Sequence, residues 1–248
     1  MSGHSKWSQI KRQKGATDAK RGQLFTKLGR EIAVAARHGS DTSVNSRLRL
    51  AIQRARDANM PMDTVERAIK RGAGAGEGSN YQEITYEGYG PNGVAVLVEA
   101  LTDNRNRAAA EIRSVFNRNG GNLGETGSVR WLLEPKGVIE VEAGSHDPDE
   151  LGLLAIDAGA EDVQVQDGLI EVYTERANLE DVRTALEQEG VKVASSEATM
   201  VPATSIQLDD TSAEQTMRLL ERLEELDDVQ NVYSNSDIPD EVVAALAG

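Results

Sequence analysis

The residues best suited to chemistry lie near the N-terminus and are cations rather than catalytic groups. Trp7 stands among bases in residues 1–17, a segment without an acid. An indole ring can stack on a nucleobase while Lys and Arg contact phosphates, a combination that suits single-stranded or irregular nucleic acid. The pattern predicts nucleic-acid binding through a set of ten residues: His4, Lys6, Trp7, Lys11, Arg12, Lys14, Lys20, Lys27, Arg30 and Arg37.

Two interpretations of Trp7 stay open at this point. Its ring can stack on an exposed base, or Trp7 and Ile10 can fold back and cover the helices that follow. The neighbouring bases favour phosphate contact, because so few acids accompany them.

A second anion site is suggested where a predicted strand runs into a helix, at residues 102–107. Asn104 could cap that helix, and its free backbone amides beside Arg105 and Arg107 would suit a phosphate. The alternative is ordinary capping with solvated arginines. The sequence therefore predicts a secondary anion site at Asn104, Arg105 and Arg107 and leaves capping as the competing explanation.

Catalysis is not supported by the remaining side chains. The chain has no cysteine, and its three histidines, His4, His38 and His146, are scattered without metal-ligand spacing. No nucleophile elbow or kinase-type motif occurs. We expect no enzyme activity, no metal and no cofactor.

Charge is divided unevenly along the chain. Sixteen of the 27 Lys and Arg residues lie in the first 72 positions against six acids, a balance of about +10. The remaining eleven bases face 35 acids, a balance of about −24. Because charges act over roughly 10 Å at physiological salt, this local balance decides what each surface attracts. The sequence thus predicts a basic head that meets nucleic acid and an acidic body that repels it or meets proteins.

The sequence predicts that helices carry the cations of the basic head that follow the arm. After the unpatterned arm of residues 1–17, apolar residues recur at helical spacing in three segments that end near Gly39, Pro61 and Gly72. The third helix is expected to start at Asp63, with Glu66 as its capping partner. On the first helix four of the cations fall opposite the apolar stripe: Lys20, Lys27, Arg30 and Arg37.

The glycine-rich residues 72–79 are typical of a flexible linker. A nucleotide-binding loop is disfavoured, since the stretch lacks the Gly-Lys-Ser/Thr ending and the flanking elements of a phosphate loop. The linker therefore separates the head from the body.

The body alternates between strand and helix periods. Residues 137–203 predict β-α-β-β-α-β, a complete ferredoxin-like unit, and one β-α-β half lies on each side of it. Strands are expected over Val129–Leu133 and Val138–Glu142, with a glycine loop before them at residues 120–128. We predict an α+β protein with a three-helix domain and basic arm, followed by two ferredoxin-like domains, the third inserted in the second. The predicted domains are 1–76, 77–136 with 204–248, and 137–203.

Six motifs in order along the chain resemble the YebC/PmpR family of bacterial regulators, which is related to the mitochondrial translational activator of cytochrome oxidase subunit one. The motifs are GHSKW at 3–7, Ala19–Gly22 with Phe25–Leu28, Pro61 with Ala68–Lys70 and Gly72, Tyr86–Pro91, Leu101–Arg107, and Gly120–Gly121 with Leu123–Gly124 and Gly127–Val129. One departure is local: Arg130-Trp131-Leu132-Leu133 stands where relatives often carry a phenylalanine.

The resemblance implies the same three domains and a cytoplasmic, non-enzymatic protein that associates with nucleic acid. Bacterial members are commonly regarded as DNA-binding regulators of transcription. The mitochondrial relatives and some bacterial ones resemble translation factors that bind RNA or the ribosome and assist difficult sequences such as proline runs. We therefore expect promoter DNA or the ribosome as partner, with further protein partners at the acidic domains, no membrane, and a monomer or weak oligomer.

Overall fold

A computed structural model describes residues 18–74, 81–142, 147–166, 169–239 and 242 of the protein. For residues 18–20 and 166 it describes the backbone alone. The described chain forms a helical bundle followed by two antiparallel sheets, each with helices packed on it. The predicted fold class is confirmed by this arrangement. No helix within the described ranges is long and apolar enough to cross a bilayer.

The first domain is a bundle of three helices around one small aliphatic core. Its helices are α1 (Asp18–Ala36), α2 (Ser46–Asp57) and α3 (Met62–Ala73). The core side chains recur at the spacing that the sequence predicted and include Leu28, Ile32, Leu48, Ile52, Ala55, Val65 and Ala68. Asn45 caps α2, because its side chain accepts a hydrogen bond from the Leu48 backbone N–H at 3.0 Å.

One detail of the bundle differs from the prediction. The expected start of α3 at Asp63, with Glu66 as capping partner, is wrong. The helix begins instead at Met62, after Pro61, and no side chain caps its N-terminus. Asp63 forms an ion pair with Arg67 at 3.1 Å, one turn along the helix.

The second domain has a four-stranded antiparallel sheet with two helices on one face. In chain order its elements are β1 (Gln82–Tyr89), β2 (Ala95–Thr102), α4 (Arg105–Arg118), β3 (Asn122–Leu123), then β8 (Ile206–Gln207), α7 (Asp210–Glu224), β9 (Val229–Ser234) and β10 (Ser236–Asp237). The sheet order is β3-β1-β2-β9, and β8 pairs with β10 beside it. Ile112 and Phe116 of α4 share one core with Leu219 and Leu223 of α7.

The third domain occupies the chain between the two halves of the second. Its elements are β4 (Leu133–Glu142), α5 (Pro148–Asp157), β5 (Asp162–Gln166), β6 (Leu169–Thr174), α6 (Leu179–Gln188) and β7 (Val193–Pro202). The sheet order β5-β6-β4-β7 is that of a ferredoxin-like β-α-β-β-α-β unit. The limits of the three domains stay a prediction. In the sheet of the third domain, the pairing of β4 with β7 extends as far as Leu133 opposite Pro202.

The junction of these two domains corrects the strand assignment there. The sequence predicted one strand over Val129–Leu133 and another over Val138–Glu142. Residues Arg130–Leu132 form a short 3₁₀ helix, and β4 then runs without a break from Leu133 to Glu142. The short strand β3 lies inside the stretch interpreted as a glycine loop. Short apolar runs do not distinguish a strand from a helical turn, so the period alone was ambiguous here.

Candidate nucleic-acid interface

The residues of the predicted interface divide into those that the structure describes and those that it does not. Six of them lie outside the described residues: His4, Lys6, Trp7, Lys11, Arg12 and Lys14. Lys20 lies in the first turn of α1, with only its backbone described. Lys27, Arg30 and Arg37 lie further along the chain and are described in full. Binding of nucleic acid by any of the ten stays a prediction.

Two cations of α1, Lys27 and Arg30, face the second domain. The Lys27 ammonium donates to the carbonyl of Glu224, and the Arg30 guanidinium donates to the carbonyl of Asp227. Both carbonyls lie where α7 ends, and cations near a helix C-terminus satisfy its unpaired carbonyls and its dipole. The part of the predicted arc that carries Lys27 and Arg30 is therefore a domain contact.

Asp228 is the centre of this contact. Its carboxylate is 3% exposed and accepts from three donors on three different elements. The donors are Arg30 at 3.2 Å, Arg107 at 2.8 Å and the Thr102 hydroxyl at 2.8 Å. A buried carboxylate requires such partners, because an unpaired charge away from water costs several kcal/mol. Asp228 consequently ties the bundle to the start of α4.

Arg37 forms a second contact between the first and second domains. Its guanidinium donates to the backbone carbonyl of Tyr81 at 2.9 Å, just before β1. The Tyr81 ring also lies 5.7 Å from the guanidinium carbon of Arg30, within cation–π range. The predicted linker thus leads directly into a segment that the first domain holds.

At the predicted secondary anion site, the side chains of two of the three residues already bond to groups of the protein. The Asn104 side chain accepts from the Arg107 backbone N–H at 3.1 Å, so the capping alternative accounts for that amide. Arg107 pairs with Asp228 and, at 2.9 Å, with Asp103, and these hydrogen bonds raise its pKa. Arg105 is exposed and makes no ion pair among the described residues. Of the two arginines in the predicted site, only Arg105 has no carboxylate partner among the described residues.

Helix α2 carries exposed arginines that the sequence analysis did not select. Arg49 and Arg56 lie seven residues apart and therefore on the same face, about 10 Å apart along the axis. Both are exposed and make no ion pair within the described chain. Arg49 donates to the Thr42 carbonyl at 2.7 Å, which orients its guanidinium without neutralising it. The sequence places these arginines on one helix face by their seven-residue spacing, but Arg47 and Arg54 have the same spacing, and only the ion pairs of the structure separate the two sets.

The other two arginines of α2 lie on a different face. Arg47 pairs with Glu83 of β1, and Arg54 pairs with Glu31 of α1 at 3.1 Å. These pairs line a cleft of about 790 Å³ where the bundle meets the second and third domains. Glu99 lies in the same cleft and accepts from the Tyr233 hydroxyl at 3.1 Å. Its acids and bases neutralise one another, so the cleft offers no net attraction for phosphate.

A rigid loop presents one exposed aromatic ring. Trp131 is 71% exposed, and its indole N–H donates to the Ser128 carbonyl at 3.1 Å. Glu87, which is buried, fixes the loop by accepting from three backbone N–H groups at 2.7–2.8 Å, those of Gly127, Val129 and Arg130. Burial acts to raise the pKa of Glu87, but these three donors outweigh it and lower the pKa below its ordinary value.

The whole chain is similar to known proteins. Residues 5–75 match the model described as the TACO1/YebC protein N-terminal domain, and residues 81–236 match that of the TACO1/YebC second and third domain. A protein of Dehalococcoides mccartyi strain CBDB1, named a probable transcriptional regulatory protein, is 54% identical over 98% of this chain and 97% of its own. One of Chloroflexus aurantiacus with the same description is 55% identical over 98% of each chain.

A solved structure is similar as well. The crystal structure of a conserved hypothetical protein from Aquifex aeolicus superposes with a TM-score of 0.78 at 49% identity. The alignment covers 90% of this chain and 92% of that one.

Proposed function

Because the chain belongs to the TACO1/YebC family, we propose that it is a regulator of transcription that binds DNA through its N-terminal domain. The observation that carries the proposal is the pair Arg49 and Arg56, exposed on one face of α2 in the domain with a balance of about +10. Phosphate contacts dominate the affinity of proteins for DNA, and unpaired arginines are well suited to them.

The names of the relatives support a regulatory rather than an enzymatic role. Curated proteins that match almost end to end, at 54–55% identity, are described as probable transcriptional regulatory proteins. A regulator of transcription acts where the chromosome lies, and the proposal therefore places the protein in the cytoplasm.

The proposal assigns different roles to the basic residues. In this proposal Arg49 and Arg56 contact phosphates, and so do Lys20 and the cations of the arm. His4 and Trp7 contact bases. Lys27, Arg30 and Arg37 hold the first domain against the second, which leaves the Arg49 face of α2 directed outward. The acidic body repels DNA and so restricts docking to the basic side. The phosphate-contacting residues of the arm are Lys6, Lys11, Arg12 and Lys14.

The test measures DNA affinity as a function of salt. Fluorescence anisotropy of a labelled 30-base-pair duplex from the gene's own promoter region would be recorded from 50 to 200 mM salt. Each phosphate contact contributes about 0.9 to the slope of log affinity against log salt. The variant Arg49→Ala/Arg56→Ala is expected to lower the slope by about 1.8 and to weaken binding on every sequence.

The matched control is Arg47→Ala/Arg54→Ala, on the same helix and with the same change in charge. Its arginines are paired with Glu83 and Glu31, so its slope should stay close to that of the wild type. Equal losses in both variants would show an effect of net charge alone. Binding that does not depend on salt would refute phosphate recognition.

The same salt series distinguishes DNA from the ribosome. Co-sedimentation with ribosomes and anisotropy with ribosomal RNA fragments would be measured beside the duplex. Tighter binding to duplex DNA supports the proposal. Ribosome binding that exceeds DNA binding at matched salt would overturn it in favour of a role in translation.

A further inference from the structure

A second cluster of cations lies in the acidic body, outside the basic head. The C-terminal end of α4 and the middle of α7 border a cleft of about 230 Å³. Two arginines from the two helices, Arg118 and Arg218, lie on its walls, and both are exposed. Asn119, Gly120 and Gln215 complete the lining.

These two arginines make no ion pair within the part of the chain that the structure describes, although acids are abundant in the body. Residues 73–248 hold eleven bases against 35 acids. Two like charges on one cleft repel each other, so an anion between them is favoured. Five of those bases are paired with carboxylates: Arg107, Lys136, Arg183, Lys192 and Arg222.

The walls of the cleft restrict what that anion can be. Its lining has no aromatic ring and no aliphatic side chain beyond the arginine stems, so it offers a base nothing to stack on. Its volume is below the ~300–1,000 Å³ of pockets that enclose a whole cofactor. Guanidinium groups match the geometry of phosphate oxygens in two-point contacts. A single phosphate group on a larger molecule fits these conditions.

The position of the cleft relates it to the proposed DNA contact. Arg107 holds Asp228, and with it the bundle, at the first turn of α4. Arg118 lies eleven residues further along the same helix, which is about 17 Å at 1.5 Å per residue. Phosphates along one strand of duplex DNA repeat about every 3.4 Å of axis, so about five phosphate steps cover the length of α4 between the contact with the bundle and the cleft.

We propose that Arg118 and Arg218 form a second phosphodiester-binding site, at which the DNA bound by the N-terminal domain contacts the body. The inference rests on the proposed function, because its ligand is a phosphate of that same DNA. The site gives the body a point of contact on a surface that otherwise repels nucleic acid. It thereby sets the orientation of the body on the duplex.

The experiment compares two double variants on the full-length protein. Arg118→Ala/Arg218→Ala removes the cluster, and Arg113→Ala/Arg222→Ala removes one arginine from each of the same two helices without touching the cleft. Anisotropy with the 30-base-pair duplex is measured from 50 to 200 mM salt. The first variant is expected to lower the slope by about 0.9 for each phosphate that it no longer neutralises, and the second to leave the slope unchanged.

A shorter duplex and a stability measurement complete the design. A DNA hairpin with a stem of about four base pairs spans about 14 Å, which is shorter than the ~17 Å of α4 between the contact with the bundle and the cleft, so we expect the first variant and the wild type to bind it alike. The unfolding midpoints of both variants should match the wild type, because all four arginines are exposed. If the first variant has a lower unfolding midpoint than the wild type, Arg118→Lys/Arg218→Lys is compared in its place. That variant keeps the charge but not the two-point geometry, so it should bind DNA more weakly than the wild type.

The outcomes separate this inference from the proposed function. Normal DNA binding with an unchanged slope in the first variant would overturn the second site and leave the proposed function standing. Equal weakening in both double variants would also overturn it, as an effect of net charge. Failure of the wild type to bind DNA at all would overturn both.

Discussion

Arg30 of the first domain contacts Asp228, 198 residues further along the chain, at 3.2 Å. The same carboxylate accepts from Arg107 and Thr102, so one buried acid joins α1, the end of β2 and the start of α4. Two cations and a hydroxyl offset the cost of burying this charge. The contact determines which face of the bundle is covered and which face of α2 is left for a ligand.

Removing the Asp228 charge should destabilise the protein. In Asp228→Asn two arginines are deprived of their shared carboxylate, and we expect the free energy of unfolding to fall by about 2–4 kcal/mol, measured in urea. The control is Asp103→Asn, since Asp103 is exposed and pairs only with Arg107 among the described residues. Its cost should stay below about 1 kcal/mol. Similar effects in the two variants would contradict a central role for Asp228.

Glu87 should make stability depend on pH in the acid range. Its pKa lies below the ordinary value of 4.5 in the folded state, so its contribution to stability is complete above pH 4.5. That contribution disappears as the pH falls through the lower pKa of the folded state, because protonation removes an acceptor that three N–H groups share. Glu87→Gln should cost about 1–3 kcal/mol at about pH 7 and flatten the pH dependence of the urea midpoint below about pH 5.

A control for Glu87 lies in the same loop. Glu125 is exposed, and its carboxylate makes no hydrogen bond among the described residues. Glu125→Gln should therefore leave both the midpoint and its pH profile unchanged. A wild-type profile in Glu87→Gln would refute the assigned role.

Trp131 should be dispensable for folding. Its ring is 71% exposed, so Trp131→Ala removes little buried area and should change the free energy of unfolding by about 0.5 kcal/mol or less. Phe116 is fully buried between α4 and the sheet, and Phe116→Ala should cost about 3–5 kcal/mol. Urea unfolding followed by circular dichroism measures both, and a cost for Trp131→Ala near that of Phe116→Ala would disprove the exposed position of the ring.

Gly72 should tolerate no side chain, because it sits where α3 crosses α1. A Cβ atom there would lie 2.0 Å from the backbone carbonyl oxygen of Ala33, and backbone moves at greater cost than a side chain. Gly72→Ala should lower the free energy of unfolding by about 1–3 kcal/mol or more. In Gly22→Ala the new methyl group meets nothing within 4 Å, and the better helix propensity of alanine should stabilise by about 0.5–1 kcal/mol. Thermal melts of the two variants should thus shift in opposite directions.

Much of the fold could be predicted from local pattern. The aliphatic residues of α1, α2 and α3 recur at helical spacing, and the β-α-β-β-α-β order predicted for residues 137–203 follows from the alternating periods. Predictions failed where the signal was short or long-range. Residues 129–132 are too few to show a period, and β3 contains only two residues. Helix α3 begins one residue earlier than expected, at Met62, because Pro61 stands before it with a φ of −59° that suits a helix start and with no side-chain acceptor for a cap.

Composition, period and ordered motifs are local properties, and they were enough to establish the division of charge, the helices and strands that carry it, and the family of the chain. Which cations stay available to a ligand depends instead on packing between distant segments. Lys27 and Arg30 look like the phosphate face of a basic helix, yet their partners are carbonyls and a carboxylate 197 and 198 residues away. Arg118 and Arg218 lie about a hundred positions apart in sequence and meet at one cleft. Helical spacing fixes the side of a helix on which a residue lies, whereas packing against distant chain decides what covers that side.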